Sequence, residues 1–190
     1  ITANNSIISM TYDIHGNRET LDDPDAGLIT TDYNAFGELV SQTDARGNTY
    51  TMLYDVLGRM YQRSGPFGEL TTWTYENTVA GKLGTLTSVA LNNGTSQSYS
   101  YDALGLITSQ TETTGSQSFT KTYTYDSYGR VEYENWHTGF GIRNVYNSYG
   151  YLSQVKTQDN ETVWSSPAYN ARGQVTAYDL GANHVSRSWD

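Results

Sequence analysis

The chain has 190 residues and a formal net charge of −9, from 11 Lys and Arg against 20 Asp and Glu. That balance argues against nucleic acid as a partner, because such binding needs clustered cations against phosphates. No stretch approaches the ~18 apolar residues of a membrane helix, and the absence of cysteine removes disulfides and thiolate metal sites. The 17 Tyr make the chain too rich in aromatics for a disordered segment, so it reads as ordered and all-β.

One pattern recurs along the chain: Tyr, then Asp or Asn, two variable residues, then Gly. The copies are Tyr12-Asp13…Gly16, Tyr33-Asn34…Gly37, Tyr54-Asp55…Gly58, Tyr101-Asp102…Gly105, Tyr125-Asp126…Gly129, Tyr146-Asn147…Gly150 and Tyr169-Asn170…Gly173. A decayed copy that lacks the Gly stands at Tyr75-Glu76-Asn77. Successive Tyr residues are 21, 21, 21, 26, 24, 21 and 23 positions apart, a period that marks a repeat architecture.

Each copy predicts a hairpin. Before the motif, Trp73-Thr74-Tyr75, Tyr99-Ser100-Tyr101 and Thr122-Tyr123-Thr124-Tyr125 alternate polar and aromatic residues, the period of a half-buried strand. Asp or Asn followed three residues later by Gly suits a type I turn closed by a left-handed Gly and a bulge. Two residues past the Gly comes Leu39, Met60, Ile107, Val131, Leu152 or Val175, the start of a return strand. The first copy has Arg18 there and reads as a worn terminal repeat.

A looser second turn closes each unit, as at Asp22-Asp23-Pro24-Asp25-Ala26-Gly27, Asp44-Ala45-Arg46-Gly47-Asn48, Ser64-Gly65-Pro66-Phe67-Gly68 and Asn92-Asn93-Gly94. It is expected to absorb the variation in spacing. Residues 1–190 form one array of about eight hairpin repeats, hence about sixteen strands. So wide a sheet should curl, with Tyr and aliphatic rows packed on one face.

The chemistry-bearing residues read mostly as structure. Asp13, Asp55, Asp102 and Asp126 recur in phase, which suits turn capping rather than a single catalytic pair. His15, His137 and His184 lie in different repeats. Asp22, Asp23 and Asp25 lack the further ligands of a calcium loop. No nucleophile elbow or phosphate loop occurs, so neither catalysis nor a cofactor is expected. Trp136 and Phe140, in a Gly-bearing loop, are the candidates for a surface contact with a glycan or cell surface, the runner-up function. The sequons at Asn4, Asn93 and Asn160 carry meaning only in a eukaryotic secretory host.

Segments such as Thr124-Tyr125-Asp126-Ser127-Tyr128-Gly129-Arg130-Val131 and Leu53-Tyr54-Asp55-Val56-Leu57-Gly58-Arg59-Met60 resemble the Tyr-Asp repeats of the Rhs (rearrangement hot spot) family, and the resemblance runs from Met10 to Asp190. It implies a sheet strip that spirals into a hollow shell, as in bacterial Rhs toxins and the B and C components of insecticidal toxin complexes; teneurins use a related shell. It implies a structural, non-enzymatic role, a secreted or cell-surface bacterial location, and as partners the rest of the array and an enclosed C-terminal toxin or effector. Asp23-Pro24-Asp25-Ala26-Gly27-Leu28 is near the family's self-cleavage stretch but one residue too long, and reads as a turn. With Ser188-Trp189-Asp190 where a ninth step is due, and no Met or leader at Ile1, the chain reads as an excerpt of a longer array. Unpaired strand edges would then make the isolated piece self-associate.

Overall fold

The computed structural model describes residues 7–80 and 82–189; the Asn4 sequon and Asp190 lie outside the described residues. The fold is all-β, with 17 strands among them. Two compact units share the same plan, one of Ile1–Asn77 with Gly84–Gln97, the other of Thr78–Leu83 with Ser98–Asp190.

The first unit holds β1 (Ser9–Tyr12), β2 (Arg18–Asp23), β3 (Gly27–Tyr33), β4 (Leu39–Thr43), β5 (Thr49–Tyr54), β6 (Met60–Ser64), β7 (Leu70–Tyr75), β8 (Leu86–Leu91) and the start of β9 (Thr95–Tyr101). The second holds the end of β9, then β10 (Ile107–Thr114), β11 (Gln117–Tyr125), β12 (Val131–Trp136), β13 (Gly141–Tyr146), β14 (Leu152–Thr157), β15 (Thr162–Tyr169), β16 (Val175–Leu180) and β17 (Asn183–Ser186). From β1 to β8, and again from β10 to β17, each strand pairs antiparallel with the next in sequence.

Every motif Tyr is the last residue of its strand, and every aliphatic two past the Gly is the first of the return strand. Just beyond that aliphatic the return strand carries one extra residue. Tyr54 faces Met60 while Leu53 faces Gln62, and Tyr125 faces Val131 while Thr124 faces Tyr133. This bulge increases the local twist and unpairs part of the ladder.

The alternation before the motifs holds: Tyr99, Tyr123 and Tyr125 are half-buried while Ser100, Thr122 and Thr124 are exposed. The packed face, however, differs from expectation. Among the described residues only Thr31, Met52, Gly141 and Ser166 are buried, and Met52 has the one apolar side chain of the four. In each unit the strands touch only their sequence neighbours. Within each unit the contacts of the Tyr and aliphatic rows therefore run sideways, from one strand to the next within a face.

Candidate functional site

The recurring turn is the site to examine, because it holds most of the residues singled out by their repetition. In each intact copy the N–H of the Asp or Asn donates to the carbonyl four residues on, and the Gly N–H donates back to the Asp or Asn carbonyl. At Asp126 these bonds measure 2.9 Å to Arg130 and 3.0 Å from Gly129. The side chain completes the turn: Asp126 Oδ1 accepts from the N–H of Tyr128 (2.9 Å) and of Arg130 (3.0 Å). Asp13, Asn34, Asp55, Asp102, Asn147 and Asn170 do the same. One oxygen of each recurring carboxylate or amide is thus committed to its own backbone.

The remaining atom of that side chain follows a rule that sequence reasoning missed. Where the turn opens with Asp, the residue four on is a donor: Asp13 takes Asn17, Asp44 takes Asn48, Asp55 takes Arg59 and Asp126 takes Arg130. Where it opens with Asn, the partner is an acceptor: Asn34 Nδ2 donates to Glu38 and Asn170 Nδ2 to Gln174. The correlation is visible in the sequence once the four-residue offset is known. Asp102–Leu106 and Asn147–Tyr151 are its exceptions.

The Asp carboxyls titrate accordingly. Those of Asp13, Asp44, Asp55 and Asp126 lie below the ordinary 3.8, chiefly through the side-chain bond to Asn17, Asn48, Arg59 or Arg130. A carboxyl whose value is depressed by folding stabilises the fold above its unfolded value, and that contribution disappears as pH falls through the folded value. The thermal midpoint should therefore be flat near neutrality and fall below about pH 4; a midpoint unchanged down to about pH 2 would count against these bonds. The pairing rule has its own test. Asn34→Asp places a carboxylate against Glu38 and should cost about 0.5–1 kcal/mol, and adding Glu38→Arg should restore the loss by recreating the Asp–Arg form.

The partner residue also reaches the next repeat. Arg59 lies over the ring of Tyr75 at 4.3 Å and Arg130 over Tyr146 at 4.1 Å, while Tyr151 stacks on Tyr169 at 5.2 Å. The same residues lie beside the next Gly. A Cβ at Gly37 would sit 3.8 Å from Asn17, at Gly58 2.9 Å from Glu38, at Gly129 3.7 Å from Leu106, at Gly150 3.4 Å from Arg130 and at Gly173 2.8 Å from Tyr151. The Gly thus has two functions. It adopts positive φ, from 74° to 87° in these seven turns, and at Gly58 and Gly173 it also leaves room that a side chain of the preceding repeat occupies.

The motif Tyr makes the reverse connection. Tyr54, Tyr125 and Tyr146 donate their hydroxyls to the carbonyls of Leu39 (2.9 Å), Ile107 (2.6 Å) and Val131 (2.9 Å), and Tyr169 donates to Leu152. These acceptors are the first residues of the preceding return strands, next to the bulge. Burial raises the phenols of Tyr54, Tyr125 and Tyr146 above 10, so they remain donors at neutral pH.

The copy at Tyr75 is an insertion rather than a decay. Tyr75 donates to Met60 O (2.8 Å), and Gly84, at φ 84°, donates to the carbonyl of Glu76 (2.8 Å). Gly84 occupies the Gly position five residues late, with Arg59 3.4 Å from its would-be Cβ and Leu86 opening β8. Those five residues turn the usual spacing of 21 into 26. The tight turn, not the looser one, absorbs the largest variation. The closing turns are also less loose than expected: Asp44–Asn48, Trp136–Phe140 and Thr157–Glu161 close with the same pair of backbone bonds, with Asn160 at φ 67° in the Gly place of the last. Asp23 accepts from the N–H of Asp25 (2.8 Å) and Ala26 (3.2 Å), which makes that stretch a capped turn.

Trp136 and Phe140 occupy the two positions that Asp44 and Asn48 hold elsewhere, and their rings meet at 5.4 Å. Trp136 is half-buried beneath the Lys121 ammonium, 4.7 Å from its ring, whereas Phe140 is exposed. Burial pulls the Lys121 value down, but the Glu134 carboxylate at 2.5 Å outweighs it and the ammonium is held charged. A shallow depression of about 210 Å³ opens among Gln110, Glu112, Phe119, Lys121, Trp136 and His137. His137 meets Phe119 edge-on at 5.0 Å, His184 pairs with Asp179 at 2.6 Å, and His15 is exposed in its turn. Among the described residues no group of acidic and imidazole side chains converges as a metal site would.

The geometry therefore defines a repeat protein of β-hairpins in which the recurring residues bind each unit to its own turn and to the one before. The RHS Repeat model matches residues 33–70 and 82–117. The chain carries RHS repeats in these two stretches. It is 31% identical over 81 residues to the double-stranded DNA deaminase toxin A of Burkholderia cenocepacia (strain H111), a match spanning 43% of this chain and 5% of that protein. Its fold matches a Tc holotoxin pore of Photorhabdus luminescens with a TM-score of 0.80, at 17% identity over 96% of this chain and 10% of that one. It matches a TcdB2–TccC3 structure with a TM-score of 0.82, at 17% identity over 96% of this chain and 11% of that one. The chain thus spans a small fraction of the length of these relatives.

Proposed function

We propose that the chain is a non-catalytic segment of the wall of a toxin-associated shell, in a bacterial protein that is exported or displayed at the cell surface. The observation that carries this reading is the use of the recurring side chains. The motif Asp and Asn residues bond to their own turn, the Tyr hydroxyls of five repeats to the preceding strand, and Gly58 and Gly173 leave space for a neighbour. Residues used in this way serve continuity from repeat to repeat, the property a wall requires. The relatives named as toxin and Tc toxin components support the same role. A wall of this kind would enclose a toxin or effector polypeptide C-terminal to the array.

The test is protease protection in the intact parent polypeptide. Any segment C-terminal to the array should resist digestion until the Tyr–carbonyl ties are cut by combined Tyr125→Phe and Tyr146→Phe substitutions. A segment digested at the same rate in both proteins would overturn the enclosure. The aromatic depression beside Phe119 supports glycan contact as a second reading. A glycan array in which signal depends on Trp136 and Phe140 would favour it; Lys121 already lies over the Trp136 ring.

A further inference from the structure

The turn between β8 and β9, Leu91-Asn92-Asn93-Gly94, holds two adjacent amides in opposite circumstances. The Asn92 carboxamide is used at both ends: Oδ1 accepts from the Leu70 N–H (3.2 Å) and Nδ2 donates to the Gly68 carbonyl (2.7 Å). These bonds fasten the turn to the one that joins β6 to β7. The Asn93 carboxamide is held at one end, where Oδ1 accepts from the Thr95 N–H (2.9 Å). Among the described residues its Nδ2 has no acceptor, and Asn92, Asn93 and Gly94 are all exposed.

Gly94 follows Asn93, and no other Asn of the chain precedes a Gly. The pairing matters because the backbone nitrogen after an asparagine, on attacking the side-chain carbon, closes a small unstrained ring. A side chain on that following residue obstructs the approach, and Gly has none. Gly94 has φ 89°, and a Cβ there would meet nothing within 4 Å, so the turn is open on that side. Its N–H donates to the Leu91 carbonyl at 3.2 Å, the long end of the hydrogen-bond range. The bond from Thr95 folds the Asn93 carboxamide back along its own chain and polarises the carbonyl under attack. The same N–H is placed to hold the oxyanion of a tetrahedral intermediate. The motif residues Asn34, Asn147 and Asn170 differ on both counts. They are followed by Ala35, Ser148 and Ala171, and each Oδ1 accepts from two N–H groups.

We propose that Asn93 is a self-modification site, at which the folded turn converts the asparagine to aspartate and isoaspartate with water as the co-reactant. Solvent hydroxide takes the proton from the Gly94 nitrogen as that nitrogen bonds to Asn93 Cγ. The Cγ–Nδ2 bond then breaks, Nδ2 leaves as ammonia, and a succinimide remains. Water opens this ring at either carbonyl. Attack at Cγ restores the main chain and leaves an ordinary aspartate. Attack at the main-chain carbonyl leaves isoaspartate, whose backbone runs through the former side chain and is a methylene longer. Both products add a negative charge beside the Asn92 tie, and isoaspartate also disrupts the bond of Gly94 to Leu91. The proposal does not depend on the enclosing role above.

The experiment is peptide mapping by mass spectrometry of the folded 190-residue chain, aged in mildly alkaline buffer, with isoaspartate separated from aspartate by chromatography. The Asn93 peptide should gain the mass difference between water and ammonia about tenfold faster than the peptides that hold Asn34, Asn147 or Asn170. Gly94→Ala is the decisive variant. Ala is strained at that φ and slackens the turn, so conversion reached through local unfolding would accelerate. Conversion within the folded turn should instead slow by about tenfold, because the new methyl obstructs the attack. A Gly94→Ala variant that converts faster than the parent overturns the proposal. So does an Asn93 that stays an amide in the folded chain but converts in urea, since the turn then protects the site. Earlier conversion of any other Asn would likewise remove Asn93 from this role.

Discussion

Gly173→Ala should lower the stability of the second unit much more than Gly47→Ala lowers that of the first. Both glycines have positive φ, 74° and 81°, so Ala is strained at each by about 1 kcal/mol. They differ in what the new methyl meets. At Gly47 nothing lies within 4 Å, whereas at Gly173 the Cβ would stand 2.8 Å from the Tyr151 ring. That ring is held by stacking on Tyr169, so it cannot yield freely, and the loss should rise to about 2–3 kcal/mol. Gly58→Ala should fall between, because the obstacle there is the end of the flexible Glu38 side chain, 2.9 Å away. Denaturant melts of the three variants decide the matter. Equal losses would mean that the glycines serve their turns alone and have no part in packing repeat on repeat.

Replacing Tyr146 by Ala should cost about 3 kcal/mol, the range for losing an aromatic ring from a packed site. The ring is half-buried beneath the Arg130 guanidinium, and its hydroxyl donates to Val131 O. Tyr146→Phe keeps the ring and isolates the hydroxyl, which should account for about 1 kcal/mol. Because each repeat depends on its neighbours, both losses should appear as faster amide exchange in β12 and β13, with little change in the first unit. A Phe variant as stable as the parent would show that the tie to the preceding strand contributes nothing, leaving the ring as the sole coupling.

Much of this arrangement was legible because the repeat sampled the same local problem seven times. Asp or Asn with Gly three residues on specifies a turn by local backbone geometry, and the aliphatic two residues later marks the return strand. Both depend on neighbours in sequence, so both appear in the pattern. The donor–acceptor match between Asp126 and Arg130, or Asn34 and Glu38, was equally local but went unread, since it lies in a residue that varies from copy to copy. Gly84 was missed for another reason. Its turn admits five extra residues, and a fixed offset from Tyr75 could not find it.

Other features needed three dimensions. The Tyr hydroxyl bonds span 15 to 18 residues and require a bulge that leaves a carbonyl free, and no motif records where that carbonyl points. Trp136 and Phe140 read as a loop contact. Pairing across the turn made them the apolar counterpart of Asp44 and Asn48, and Lys121, from the neighbouring strand, covered one of them. By itself the sequence determined the hairpins, their order and their turns, because local geometry and a period near 21 suffice for those. Only the tertiary structure decided that within each unit the Tyr and aliphatic rows pack sideways from strand to strand, leaving Met52 as the one buried apolar side chain among the described residues. Alternation along a strand says which face a side chain takes, and it is silent on whether a second layer covers that face.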